Sequence, residues 1–234
     1  MNIREQENTL FEKWRTKRGR TPFVIDGVPF PELYEKSKPR ILFILKDCNL
    51  GDYGQEVFDL RAQMEHEPNM WWRTVANWGL LLQHISSKEP EWNEIINKQI
   101  QKGLKPYAFI QLKKKSGKGR ISDAELWRYA EEDSNLITRQ IQIYSPHMIV
   151  AAGTGRFVRY LLNITGELKR TPRGIGYWIY GKSADSVCYI IDFCHPSNRA
   201  GKKVMPAIGY GLLDACRFLH RERKRILKIH HEIE

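Results

Sequence analysis

The chain has 234 residues, 41% of them hydrophobic, and its 38 Lys and Arg outnumber 27 Asp and Glu to give a net charge of +11. Four scattered cysteines (Cys48, Cys188, Cys194, Cys216) exclude a disulfide framework and form no CxxC pair for a zinc or iron-sulfur site. No apolar run reaches transmembrane length and the first residues lack the apolar core of a secretion signal, so the expectation is a cytoplasmic monomer without a membrane partner. The charge excess favours a polyanion, nucleic acid above all, although alone it supports only non-specific phosphate attraction.

In chain order, residues 5–18 have the periodicity of an amphipathic helix with Leu10, Phe11 and Trp14 on one side, and a Pro-rich connection with an Asp26-Gly27 turn follows. Residues 1–39 are read as an N-terminal helical and loop extension of a single domain spanning 1–234. The unbroken apolar run Ile41-Leu42-Phe43-Ile44-Leu45 predicts a strand buried on both faces, and it runs straight into Lys46-Asp47-Cys48-Asn49. Helical patterning covers 71–82 and 92–101, with Trp71, Trp72 and Trp78 read as core residues first, one of which could instead face a site. Tyr107 to Leu112 is a second buried strand, followed by Lys113, Lys114, Lys115, Lys118 and Arg120 interleaved with two glycines. Such a run is ordinarily a solvated loop; at the carboxyl end of a strand it is also a candidate for phosphate contact.

Ser122 with Glu125 has the spacing of a helix cap, and one helix is expected from there to Tyr144, stopped by Ser145-Pro146. His147 to Ala152 is a third buried strand, turned by Gly153-Thr154-Gly155 into a helix over 156–162. A possible edge strand at 177–180 precedes a last buried strand, Val187 to Phe193, and then Cys194-His195-Pro196-Ser197-Asn198-Arg199. Helical periodicity resumes at Ala207 and runs into a charged tail. Buried strands alternating with helices predict an α/β fold, a three-layer α/β/α sandwich with a mainly parallel four-stranded central sheet.

In a parallel sheet the carboxyl ends share one rim, where ligands bind. That rim would gather Asp47 to Asn49, Gln111 to Lys115, Gly153 to Gly155 and His195 to Arg199. Singly, Asp47 also reads as a turn cap, Gln111 as a strand-end polar residue and His195 as a surface histidine; together they read as a site.

Four pieces in order, Leu45-Lys46-Asp47-Cys48-Asn49, Phe109-Ile110-Gln111-Leu112-Lys113-Lys114, Ser145 to Gly153 and His195-Pro196-Ser197, resemble the motifs of the uracil-DNA glycosylase superfamily over about residues 40–219. The resemblance implies a DNA glycosylase that flips a base out and hydrolyses its N-glycosidic bond without a metal or cofactor, leaving an abasic site. Asp47 would orient the attacking water and stabilise the cationic sugar, and His195 would hydrogen-bond the departing base. Asn49 and Gln111 would contact the base, with Tyr53 or Phe58 stacked on it. Lys113, Lys114, Lys115 and Lys118, the Pro196-Ser197-Asn198-Arg199 loop, and Lys202 and Lys203 would hold DNA.

Cys48 departs from the usual first motif and Gln111 is one methylene longer than the family's Asn. Both leave room for uracil or for a bulkier modified pyrimidine such as glucosylated hydroxymethylcytosine, with a role in repair or in defence against phages. The competing class is a DNA-binding module on the same fold that no longer does chemistry, which would give salt-sensitive binding and no abasic product. A nucleotide enzyme of the dinucleotide-binding type is disfavoured because GxGxxG is absent.

Overall fold

The structure, a computed structural model, describes residues 1–19, 22–48, 57–66, 68, 70–115, 121–181, 186–197 and 204–231. Its strands are β1 (Phe23–Ile25), β2 (Ile41–Leu45), β3 (Val57–Asp59), β4 (Tyr107–Gln111), β5 (Met148–Ala152), β6 (Lys169–Arg170), β7 (Gly176–Tyr180) and β8 (Cys188–Phe193). The helices are α1 (Ile3–Arg18), α2 (Pro31–Lys36), α3 (Leu60–His66), α4 (Arg73–Leu82), α5 (Trp92–Ile96), α6 (Ile100–Leu104), α7 (Asp123–Glu132), α8 (Ser134–Tyr144), α9 (Gly155–Leu161) and α10 (Met205–His231).

The central sheet has the order β4-β2-β5-β8-β7-β6. The four expected strands are its parallel part, and β7 and β6 extend it antiparallel, so the sheet has six strands where four were expected. Successive side chains point to opposite faces, and both faces are covered. Ile41, Phe43 and Leu45 join Phe109, Val150 and Ile191 in one apolar cluster with α4 and α10. Leu42 and Ile44 join Ile110, Ala151 and Ile190 in another with α1, α7, α8 and α9. Double coverage is why these strands are apolar without alternation.

The N-terminal helix belongs to this core. Asn2 caps it, accepting from the Glu5 backbone N–H at 2.9 Å while Glu5 reaches back to the Asn2 N–H at 3.0 Å, and Phe11 and Trp14 are fully buried. Burying Trp14 alone is worth roughly 3–5 kcal/mol against alanine. Glu7 on the same helix is fully buried: its carboxylate accepts from Arg61 and Tyr144 at 2.8 Å each. Burial still pushes the Glu7 carboxyl above its usual range, against the pull of Arg61.

The single helix expected from Ser122 to Tyr144 is two. Ser122 caps α7 as predicted, accepting from Glu125 N–H at 3.2 Å, but the run breaks at Asp133. The buried Asp133 carboxylate is held by Arg18 and Lys17 of α1, and Asp133 also receives the first backbone bonds of α8. The stretch 92–101 likewise divides into α5 and α6. No helix among the described residues is long and apolar enough to cross a membrane.

Candidate active site at the carboxyl edge of the sheet

Register places the site. Gln111 pairs with Leu45, and Ile44 pairs with Ala151, whose neighbour Ala152 pairs with Phe193. Pairing continues past the strand ends through Lys113 N–H to Lys46 O (3.1 Å) and Gly153 N–H to Phe193 O (2.7 Å). One row further on come Asp47, Lys113 and His195, with β5 between the acid and the imidazole. At the usual strand spacing their backbones stand about 10 Å apart.

Asp47 follows a strand that is fully buried and is itself only partly exposed. Its Oδ2 is buried with no hydrogen-bond partner. Burial pushes its carboxyl above the ordinary range; Lys113 and Lys46 pull it back and Glu125 adds to the rise. Gln111, 2% exposed, donates its backbone N–H to Asp26 Oδ2 at 2.6 Å, while its side-chain Oε1 is buried and unpartnered. A buried polar atom left unpaired costs about 1–3 kcal/mol, which a ligand donor would recover. Two such atoms lie on adjacent strands at one edge of the sheet.

His195 is held from both sides. Its Nδ1 accepts from the Ser197 backbone N–H at 3.2 Å and lies 2.7 Å from Ser197 Oγ. A ring nitrogen that accepts a backbone N–H bears no proton, so the neutral ring carries its proton on Nε2. Behind it Gly153 adopts φ +72°, and a Cβ there would lie 2.8 Å from His195 Cβ. Glycine at 153 therefore serves the turn and also makes room for the histidine. Thr154 fastens the same turn to β2, its hydroxyl donating to Ile44 O at 2.8 Å.

The lysine run is not a cationic ribbon. Lys114 is 2% exposed, with Nζ 2.5 Å from Asp26 Oδ2 and 4.9 Å over the Trp14 ring, so the phosphate contact expected of it is replaced by a buried ion pair. Lys113 is also buried, its Nζ on Glu125 at 2.8 Å, where it faces Asp47 and not a backbone phosphate. The reason is register: the run continues β4 into the interior before it turns out. Lys115 alone of the three is exposed. Phe58 lies in β3 and packs against the Phe43 side of the core, which leaves it as packing more than as a free stacking platform. Pro196 is partly exposed and Ser197 exposed beside His195. Asn49, Tyr53, Lys118, Asn198, Arg199, Lys202 and Lys203 lie outside the described residues.

Three residues with a part here were not singled out in the sequence. Asp192, the next-to-last residue of β8, is exposed beside a Gly155 whose missing Cβ gives its carboxylate room, and desolvation raises its carboxyl. An acid interrupting an apolar strand was the available signal. Asp26 is fully buried and binds Gln111 N–H, Lys114 and Gln140, whose Nε2 donates at 2.7 Å. Gln140 in turn donates to Tyr144 at 2.8 Å. Nothing in a turn-like Asp-Gly announces such a partner set.

Cysteine chemistry is disfavoured: the Cys48 thiol is pushed up to about 12 by burial and by Asp26 and Asp47, and burial also raises Cys194. Among the described residues no three His, Cys, Asp or Glu side chains gather closely enough to hold a metal ion. What remains is a half-buried carboxylate, an amide oxygen seeking a donor and an imidazole N–H. That set can position a water, accept from a ligand N–H and donate to a developing oxyanion. No protein-family model matches the chain, and no curated protein matches it.

Proposed function

We propose that the chain is a DNA glycosylase of the uracil-DNA glycosylase type, with the three-layer α/β/α arrangement of that group, hydrolysing the N-glycosidic bond of an everted non-canonical pyrimidine. The observation that carries this reading is the pair of unpartnered buried oxygens, Asp47 Oδ2 and Gln111 Oε1, on neighbouring strands of one edge. The Gln111 carbonyl would accept from an N–H on the pairing edge of the base. His195, with its proton on Nε2, would donate to the base oxygen on which negative charge grows as the bond breaks.

Asp47 would hold the water and, once ionised, its charge would face the cationic sugar in partly desolvated surroundings where it counts for more than in bulk water. The water's oxygen then bonds to the anomeric carbon, the bond to the base nitrogen breaks with its electrons on the base, and the water's proton passes to Asp47. Because burial raises the Asp47 carboxyl, the rate should rise with pH until that group is ionised.

The test is base release from a panel of DNAs containing uracil, hydroxymethylcytosine or its glucosylated form, read by mass spectrometry of the freed base and by abasic-site labelling. Release by the parent, lost in Asp47→Asn and His195→Ala with DNA binding retained, supports the reading. No release from any member, or equal release by both variants, defeats it.

A further inference from the structure

At the carboxyl edge most of the described cations are ion-paired, with Lys115 exposed. There Lys46 and Arg156 both pair with Asp123, Lys113 pairs with Glu125 and Lys114 with Asp26. The opposite, amino edge of the sheet is different. Arg40 and His147 immediately precede β2 and β5 in the register that pairs Ile41 with Met148, and the Arg40 backbone N–H donates to His147 Nδ1 at 2.9 Å.

Helix α10 comes down the β8 side to the same place. Its inward stripe runs Leu212, Leu213, Cys216, Leu219, all buried, and continues one turn on with His220 and Arg223. At 1.5 Å per residue the helix is roughly 40 Å long against ~20 Å for β8, so its basic last turns continue past the edge. Lys38 and Lys224 are exposed, Arg40 partly so, and none of the three makes an ion pair among the described residues. Basic groups near a helix C-terminus are eased by the helix dipole, but that accounts only for those on α10, not for Lys38, Arg40 and His147.

We propose that this amino edge is a second nucleic-acid contact, in which Lys38, Arg40 and Lys224 engage backbone phosphates around His147 and His220 without reading bases. Charges from two separate parts of the chain act on His147, Arg40 and Lys38 from one and His220 and Arg223 from the other, with Lys224 acting on His220, and the imidazoles among them offer N–H donors suited to phosphate oxygen. A contact about 20 Å across the molecule from the carboxyl edge would keep the protein on DNA while the other edge is disengaged.

The experiment measures binding of the full chain to an unmodified 30-base-pair duplex over a range of salt. The variant Lys38→Ala/Arg40→Gln/Lys224→Ala should lower the slope of log affinity against log salt by about 2–3, the equivalent of three lost phosphate contacts, and weaken low-salt binding at least tenfold. The charge-keeping variant Lys38→Arg/Lys224→Arg should bind as the parent does. An unchanged slope in the triple variant with native thermal unfolding overturns the proposal, as does loss of binding only to vesicles containing phosphatidylglycerol. No base chemistry enters the measurement, so its failure and that of the glycosylase reading are separable.

Discussion

The two edges of one sheet are built on opposite electrostatic plans. At the carboxyl edge Lys46, Lys113 and Lys114 are ion-paired, Lys115 is exposed, and an acid oxygen and an amide oxygen are buried without a hydrogen-bond partner. At the amino edge His147 Nδ1 accepts from Arg40 N–H and Arg40 Nε donates to Ser145 O at 3.0 Å, His220 Nδ1 is buried without a hydrogen-bond partner, and Lys38, Arg40 and Lys224 carry positive charge with no ion pair among the described residues. Chemistry on a small group calls for a few unpaired atoms in dry surroundings; holding a long anion calls for uncompensated charge facing water. Net charge alone therefore does not locate a reactive site: among the described residues three cations without an ion pair stand at the amino edge, while the candidate reactive groups stand at the carboxyl edge.

The largest effect should come from Asp47→Asn. Removal of the base should lower release by a factor on the order of 10²–10⁴ in single-turnover assays. The same change should leave the melting temperature unchanged or raise it at neutral pH. The folded-state carboxyl is raised, so the native state favours the protonated form, and stability is lost as pH rises through that value. A neutral amide escapes that loss. A large drop in melting temperature would mean that Asp47 is a structural cap and would erase the contrast between the two edges.

Next in size is Lys114→Ala. It strips a buried partner from Asp26 and should cost about 3–5 kcal/mol in urea unfolding, with Lys115→Ala within about 0.5 kcal/mol of the parent. Equal, small effects of both would return Lys114 to the surface role that its place in a basic run suggests. A smaller effect is expected of Gly153→Ala. Its φ of +72° costs an alanine roughly 1–2 kcal/mol, and the contact with His195 must open. Activity should fall further than that stability loss explains, because the imidazole is displaced; a variant with normal turnover would separate the turn from the chemistry.

Much of this fold was legible in the chain. Ile41–Leu45, Tyr107–Gln111, Met148–Ala152 and Cys188–Phe193 are apolar apart from Gln111 and Asp192 near two carboxyl ends because both faces of the sheet are covered, and that is a local signal. From those four strands the shared edge of Asp47, Gln111 and His195 follows by topology alone. The lysine run was misread because strand continuation outranks composition: Lys114 keeps the inward alternation of Ala108, Ile110 and Leu112, and its charge is answered by an aspartate 88 residues earlier. Asp133 broke a helix through partners on α1, 115 residues away, and no local propensity encodes that. Polar residues whose partners are remote in sequence are where reading by pattern fails.

The finest test of the two-edge contrast is His147. Its pKa is pushed down to about 4, by burial first and then by Arg223, Arg40, His220 and Lys38. Unfolded, the ring takes a proton near pH 6.5; folded, it takes one only near pH 4. Between those values the unfolded state binds more protons, so stability is full above pH 6.5 and is lost as pH falls toward 4. With the ring half-open to solvent the loss should be on the order of 1 kcal/mol, or ~2–4 °C in melting temperature.

His147→Gln keeps an acceptor for the Arg40 N–H and should remove this part of the acid loss. The comparison must be with the parent at each pH, since Asp47 contributes with the opposite sign. Bound duplex should also shrink the loss, because phosphates at the amino edge offset the cations that oppose protonation. An acid loss identical with and without DNA would show that no anion reaches this imidazole, and the two edges would then differ in charge but not in what they bind.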